Sequence, residues 1–599
     1  MISNHGYNEV SEQPSEIQNT GLLSLIKTEH VLEEIERTEQ QNLKYDPDGN
    51  LLRFWSSISS YMEYGPVYTQ FFWFIRYNII LLLFCVAVFA GILLMTGNIE
   101  KIFKGPEGFA LISHETKLLL ITVWACIGIL FGFCGIFTAR FSRDLAKSPK
   151  LFPADFSIEI WRLPETISEQ ELKEFVLDIC PNANILKTIL VETSLNCSEG
   201  QSKRFTGSAF ITFETQKDRD TALKSFHADN GLVWEFFMSK IRIGNRVPLV
   251  SIPNDTDDIT PENYGYRQIE IFSQRMKTYF IILVGIIGCF ACQYILKEIQ
   301  GEKSPNLLTA VLVLILNVIL LIIAKRAFLL IKFCSQTLLQ GEIAWAAAAL
   351  HFINIVFLPI LVQFLYSRNT GSTINAALIK EVALNGLIQT TVPFVLSLIN
   401  PVFLIRAIIR RRKRAKAKSG TLLTEKEIRK YFLYDNFDLS MLYGRVMAIL
   451  MFTFFIGLFL PLSFACATVG LIIGDIAMRL RFIKQTRRPE RRSSGGLARK
   501  INFIFFLYPL LTDVGIRMFV ERFVYDQSDV EMYVIDRYFL VAGVIILIVG
   551  GIIGERIFRV VLWKPHQEVT YQEASIKYPE NFKADYETLF SLSSLDRIS

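Results

Sequence analysis

Phe156-Ser-Ile-Glu-Ile-Trp-Arg-Leu163 alternates apolar and polar residues and stops at Pro164, the pattern of a half-buried β-strand. Immediately after it, Ser168-Glu-Gln-Glu171 is a capping box, and Leu172, Phe175 and Val176 give the helix it opens one buried stripe. Ile185–Thr193 and Gly207-Ser-Ala-Phe-Ile-Thr-Phe-Glu214 read as the next two strands. Asp218–His227 reads as a second helix with Ala222, Leu223 and Phe226 on one face, and Lys240–Ile243 as a fourth strand. The order β-α-β-β-α-β predicts a soluble α+β plait over 151–250.

Outside that plait the chain is apolar. Of its 599 residues, 51% are hydrophobic, 13% aromatic and only 20% charged, too apolar for one soluble enzyme. Apolar runs of membrane-crossing length fall at 71–95, 118–138, 278–297, 307–324, 343–366, 385–407, 443–460, 462–479, 501–519 and 538–557. The fold class is therefore a polytopic helical membrane protein of about ten spans with an α+β insert between spans two and three. The expected divisions are a polar N-terminal segment (1–70), two spans (71–139), the insert (151–250), eight spans (272–557) and a tail (558–599). The first seventy residues lack a basic stretch leading into a short apolar core, so the first span is expected to direct insertion. Leu51–Tyr68 mixes Leu52, Phe54, Trp55, Ile58, Tyr61 and Met62 with polar residues, as an interfacial helix does, and turns inward at Gly65-Pro66. Leu22–Ile35 has the pattern of a short amphipathic helix.

Positive charge clusters on one side of the spans. Arg140, Arg143, Lys147 and Lys150 follow the second, and Lys325 and Arg326 the fourth. Arg410, Arg411, Arg412, Lys413 and Arg414 follow the sixth, and Arg479, Arg481, Lys484, Arg487 and Arg488 the eighth. The opposite loops carry matched acids, such as Glu521 and Asp526 beside Arg522. Since cationic loops stay cytoplasmic, both termini and the insert are expected in the cytosol. The run from Arg410 to Arg414 has the charge to meet anionic lipid headgroups, although topogenic charge alone would also explain it.

The insert resembles an RNA-recognition motif, a ferredoxin-like plait whose RNA-binding members stack bases on central-strand aromatics. The residues argue against RNA. Thr206 stands at the basic position and Ser208 at a stacking position, leaving Phe210 alone. Glu159 replaces the first-strand aromatic and would repel phosphate. No nucleic-acid partner is expected.

Polar residues inside spans usually face a bundle interior or an aqueous cavity. Candidate pore-lining residues are Asn317, His351, Asn354, Gln389, Thr390, Ser397 and Asn400, with Thr391 beside them, concentrated in spans four to six. Interhelical hydrogen bonding is the competing reading for each. Pro393 and Pro401 make span six a candidate gate or hinge. Gly550-x-x-x-Gly554 in the last span permits close helix contact, and Cys289-x-x-Cys292 reads as small packing residues. A nucleotide-binding glycine loop, a zinc-spaced His/Cys set and paired intramembrane carboxylates are all absent from the sequence. No enzyme activity, cofactor or metal site is expected.

Two spans, a plait and eight more spans resemble the OSCA/transmembrane-protein-63 family of mechanically and osmotically gated channels, related to anoctamins and transmembrane channel-like proteins. Tyr64-Gly-Pro-Val-Tyr-Thr-Gln-Phe-Phe-Trp-Phe-Ile-Arg76 is similar to that superfamily's first-span entry. Phe437-Asp438, Tyr443, Phe452-Thr-Phe-Phe455, Leu460-Pro-Leu462 and Arg487-Arg-Pro489 are similar to its seventh-to-eighth-span signature. The resemblance implies an ion pathway through spans three to seven of each subunit and a gate in span six. It also implies monovalent and divalent cations and membrane lipids as partners, a homodimer, and the plasma membrane as location. Prolines stand where that family's glycine hinge is expected, and Lys325, Arg326 and Arg406 give a basic inner mouth. Asp475 is the one acid expected within spans seven and eight, too few oxygens for anoctamin-like calcium activation. A phospholipid scramblase of the same superfamily and a membrane-tethered RNA or protein scaffold are the alternatives.

Overall fold

A computed structural model describes residues 31–592 apart from 47, 99, 101–111, 147–150, 194–203, 229–240, 267, 302–306, 371–375, 420–422, 490–495, 524–538, 551, 553–568, 580, 581, 583 and 584. Lys147, Lys150, Lys240, Asp526, Gly554 and the start of the Leu22–Ile35 stretch lie outside the described residues. Eight described helices are long and apolar enough to cross a membrane, so the chain is a polytopic helical protein. They are Pro66–Met95, Glu115–Thr138, Ile269–Gln300, Leu307–Phe328, Gln336–Arg368, Glu381–Lys418, Leu439–Ile456 and Leu462–Lys484, called the first to eighth spans below. Two further helices fall in the last two apolar stretches. Ile504–Phe523 carries Asp513 and Arg517 in its middle, and Phe539–Gly550 is a shorter apolar helix.

The chain divides into two compact units. The larger holds Ser57–Phe394, Asp438–Asp475 and Glu490–Ser599. Its membrane part is built on aromatic packing: Trp124 stacks on Phe454 at 5.4 Å and Phe454 on Tyr508 at 4.2 Å, all three buried. Small residues bring helices close, as expected of membrane bundles. Gly550 lies against the Phe506 ring, and Gly444 against Ala344 and Ala347 of the fifth span. Asp475 of the eighth span sits 3.9 Å from Arg76 of the first.

The plait belongs to this unit. Strands β1 (Ser157–Trp161), β2 (Ile185–Thr193), β3 (Arg204–Phe213) and β4 (Leu249–Ser251) form one antiparallel sheet in the order β2-β3-β1-β4. Its helices are Glu169–Ile179 and Gln216–Ala228. The capping box closes as the sequence predicts, with Glu171 N–H donating to Ser168 Oγ and Ser168 N–H to the Glu171 carboxylate. Ile158, Ile160, Ala209, Ile211, Phe213 and Val250 face Leu172, Val176, Ala222, Leu223 and Phe226 in a closed core. Each fully buried aliphatic or aromatic side chain there contributes about 1.5–3 kcal/mol.

Two expectations are corrected here. The fourth strand is Leu249–Ser251, not Lys240–Ile243, because Ile243 and Arg246 exchange backbone hydrogen bonds across a turn with Gly244 at φ +57°. The stretch before the first span is also not one continuous helix. It forms the 3-10 turn Ile58–Tyr64, and Ile58, Tyr61 and Tyr64 are buried in protein. The turn at Gly65-Pro66 stands, with Gly65 at φ +119° and Pro66 as the first helical residue.

From β4 the chain runs through Asp258, which ties it to the start of the fifth span. The Asp258 carboxylate accepts from Ser335 Oγ at 2.5 Å, Thr337 N at 2.8 Å and Thr337 Oγ1 at 2.7 Å, and is 2% exposed. Ser335 in turn N-caps the fifth-span helix. Asp258→Ala strands several buried donors and is expected to cost about 3 kcal/mol or more. Thermal unfolding in detergent checks this, and a loss below about 1 kcal/mol would show that other contacts hold the junction.

The smaller unit holds Met1–Ser56, Val395–Phe437 and Ile476–Pro489. Residues 31–40 are helical, and Val31 and Ile35 pack on Ala417, Leu423, Ile428 and Phe432. Asn42 bridges the Phe432 carbonyl and the Tyr434 N–H. Lys44, 2% exposed, donates to the Thr486 carbonyl and lies 5.0 Å from the Phe482 ring. Burial pushes its ammonium down to about 7.

Candidate functional site

The buried polar residues of the larger unit form a ladder across spans three to six. At its centre, Gln293 Nε2 donates to Asn354 Oδ1 at 2.7 Å, and Asn354 Nδ2 donates to Asn317 Oδ1 at 2.7 Å. Gln293, Asn317 and Asn354 are 4%, 1% and 0% exposed, so three spans share one dry amide chain. Asn354 lies in a π-helical turn, Ile353–Phe357, where Leu358 N–H reaches the Ile353 carbonyl. Pro359 follows and has no N–H to return to Ile355, a local reason for the helix to widen there.

One turn along the third span from Gln293, Lys297 Nζ lies 3.7 Å from Glu381 Oε2 of the sixth span and 5.8 Å from the Tyr366 ring of the fifth. Both ionic side chains are about six-sevenths buried. Glu381, Asn385 and Gln389 follow at four-residue intervals, hence on one helix face. Asn385 is 1% exposed, and neither of its amide atoms has a hydrogen-bond partner. Gln389 Nε2 and Asn317 Nδ2 are also buried without one. Orphaned amides are costly in a packed interior, and clustering on one ladder marks a place built to meet something polar.

The other sequence candidates divide. His351 is buried one turn before Asn354. Thr390 and Thr391 return their hydroxyls to carbonyls of their own helix, Gly386 and Leu387 for the first and Leu387 for the second. Pro393 lies inside the helix Ala376–Ile399 and leaves the Gln389 carbonyl without its helical donor. Ser397, Asn400 and Pro401 belong to the smaller unit. Ser397 Oγ is buried without a partner. The sixth span breaks at Asn400, which adopts the left-handed conformation (φ 42°, ψ 70°) and N-caps the next helix, Pro401–Lys418, through Phe403 N–H. Its amide also donates to Gln485. Pro401 is thus the first residue of a new helix, where its missing N–H costs nothing, and Asn400 is the residue that bends the chain.

The basic clusters are largely engaged. Lys325 pairs with Asp438, and within the smaller unit Arg406 pairs with Asp435 and Arg414 with Glu39. Lys413 lies 3.3 Å from Glu427, and Arg410 stacks over Phe403 and Tyr434. Of the proposed headgroup contacts, Arg411 and Arg412 are the exposed members. Among the described residues no group of three His, Cys, Asp or Glu side chains is placed to hold a metal ion.

Four ladder residues, Gln293, Lys297, Glu381 and Asn385, are missing from the sequence reading. The available signal was their spacing: Gln293 and Lys297 are four apart, and Glu381 and Asn385 extend the face of Gln389 by two turns. No protein-family model matches the chain, and no curated protein matches it.

Proposed function

We propose that the chain is an ion channel of the membrane, permeable to cations, whose route runs along the polar ladder of spans three to six with span seven completing the wall. The observation that carries this reading is the set of buried amide atoms without a partner, both of Asn385, Nε2 of Gln389 and Nδ2 of Asn317, along a ladder that includes a hydrogen-bonded amide chain. Such groups become satisfied when water or a hydrated ion enters. In the arrangement described here the ladder is shut by the Gln293–Asn354–Asn317 chain and the Lys297–Glu381 pair. Opening moves the sixth span, which carries Pro393 and breaks at Asn400. Membrane tension favours that state if it occupies more area in the bilayer. Both termini and the plait lie in the cytosol, the membrane is the plasma membrane, and the working form is a homodimer.

The test is stretch-evoked current from purified protein in liposomes. Currents that grow with suction support the reading, and silence up to membrane rupture sinks it. The sixth span favours a second reading, because Leu396, Leu398, Ile399, Val402 and Leu404 beside Asn400 are exposed, as a lipid-facing track would be. A scramblase would bleach both leaflets of labelled lipid with dithionite, whereas a channel alone bleaches the outer one. Asn400→Ala replaces a residue that tolerates the left-handed region with one that does not, removes the cap, and costs about 1 kcal/mol. Its opening threshold is expected to shift from wild type in the same liposome recording, while Asn400→Gly, which tolerates that backbone, shifts less. Equal thresholds in all three would remove the break from the gating element.

A further inference from the structure

The sheet face turned away from the plait helices is roofed by the chain's own C-terminal segment. The ring of Tyr586, in the helix Tyr586–Leu592, stacks on Phe210 with centroids 4.4 Å apart and planes 11° apart. Phe590 adds contacts to Phe210 and Tyr264, and Trp161 stacks on Tyr264 at 5.3 Å. Tyr586 is 1% exposed, and its hydroxyl donates to the Asn254 carbonyl at 2.9 Å. Lys187 of β2 clips the start of this helix through Asp585 and Glu587, each at 2.8 Å. Upstream, Tyr571 N–H pairs with the Glu214 carbonyl, and Tyr571 and Phe582 pack on Phe156.

Beneath the roof lies Glu159, directly across β1 and β3 from Phe210 and 3% exposed. Its carboxyl accepts from Tyr264 Oη at 2.8 Å. The titratable groups around this roof are acids: Tyr264 on the segment after β4, Cys334 before the fifth span, Tyr586 on the tail, and Asp155, Asp255 and Tyr571 beside Tyr586. The cation of the roof, Lys187, is engaged by Asp585 and Glu587. A carboxylate formed at Glu159 therefore loses hydration with little charge compensation.

We propose that the tail helix Tyr586–Leu592 is a reversible clasp on this aromatic sheet face, latched while Glu159 is protonated and loosened when it ionises. Burial pushes the Glu159 carboxyl up to about 7 in the latched state. In the released state the carboxyl meets water and titrates near its ordinary value of about 4.3. The latched form therefore holds the extra proton between those values. Docking is strongest below about pH 4.3, weakens by up to tenfold per pH unit towards about 7, and is level above that. The segment that carries Tyr264 also carries Asp258, so the clasp sits on the strip of chain that holds the start of the fifth span.

Hydrogen exchange of the 585–592 peptide in the full-length protein in lipid nanodiscs tests the clasp, after correction for the intrinsic pH dependence of exchange. Wild-type protection is expected to fall by ten- to a hundredfold between pH 5 and 7. Glu159→Gln keeps protection flat across that range, while Glu174→Gln, an exposed glutamate on the neighbouring helix, follows wild type. Tyr264→Phe removes the hydrogen bond that favours the carboxylate, so its loss of protection extends to higher pH. Exchange in β3 reports whether each variant keeps the plait folded, and wild type with Tyr264→Phe decides the matter should Glu159→Gln unfold it. Wild-type protection that is flat with pH, or a folded Glu159→Gln variant that retains the wild-type slope, overturns the proposal.

Discussion

Gly386→Ala is expected to force the sixth span off the seventh and to destabilise the protein by about 3 kcal/mol, at the upper end for overpacking. A β-carbon at Gly386 would overlap three carbons of the Phe452 ring. That ring is 1% exposed and lies in a seventh span buried along nearly its whole length, so it has nowhere to swing. The same contact identifies its own relief. Phe452→Ala alone opens a cavity and costs about 3–5 kcal/mol, but the double variant has room for the methyl. Unfolding in detergent of the two single variants and the pair therefore yields a favourable coupling of about 1–3 kcal/mol. Additive losses would show that the two helices do not meet at this glycine.

Asn354→Leu is expected to change both stability and opening. It leaves Gln293 Nε2 and Asn317 Oδ1 facing a methyl-rich wall in the driest part of the bundle. A stranded buried polar group costs about 1–3 kcal/mol, and measured interhelical bonds in membranes average nearer 0.6, so about 2 kcal/mol is expected in total. Replacing all three amides by leucine removes the stranded groups and is expected to recover most of that loss. Under tension the two variants part. The single variant loses the bonds that shut the ladder and opens at lower tension. The triple variant presents an apolar constriction and conducts less than wild type. A single variant as stable as wild type would mean that the amide chain contributes no net stability.

The parts of this architecture that rest on local pattern were legible in the sequence. Eight long apolar helices where ten spans are expected, the capping box at Ser168, and the strand at Ile158 and Ile160 all follow from periodicity and caps, which act over a few residues. The parts set by distant partners were not. Strand β4 lies after the turn at Gly244 because register with β1 places Val250 in the core, and no short window reveals a partner ninety residues away. Asn400 read as a polar lining residue, and its left-handed backbone becomes evident only where the helix stops. Glu381 precedes the apolar run that begins at residue 385, and its pairing with a buried lysine on the third span leaves no local signal. Nothing local to Phe210 or Glu159 shows that residues more than 370 positions later cover their sheet face.

The ladder can be probed at Asn385, whose buried amide has neither atom partnered. Asn385→Cys channels in liposome patches would be exposed to a charged, water-soluble thiol reagent with and without tension. The account predicts a lasting fall in current when the reagent arrives during stretch and none when it arrives at rest, because water reaches residue 385 only along the opened route. An open-state current that the reagent leaves unchanged would contradict it.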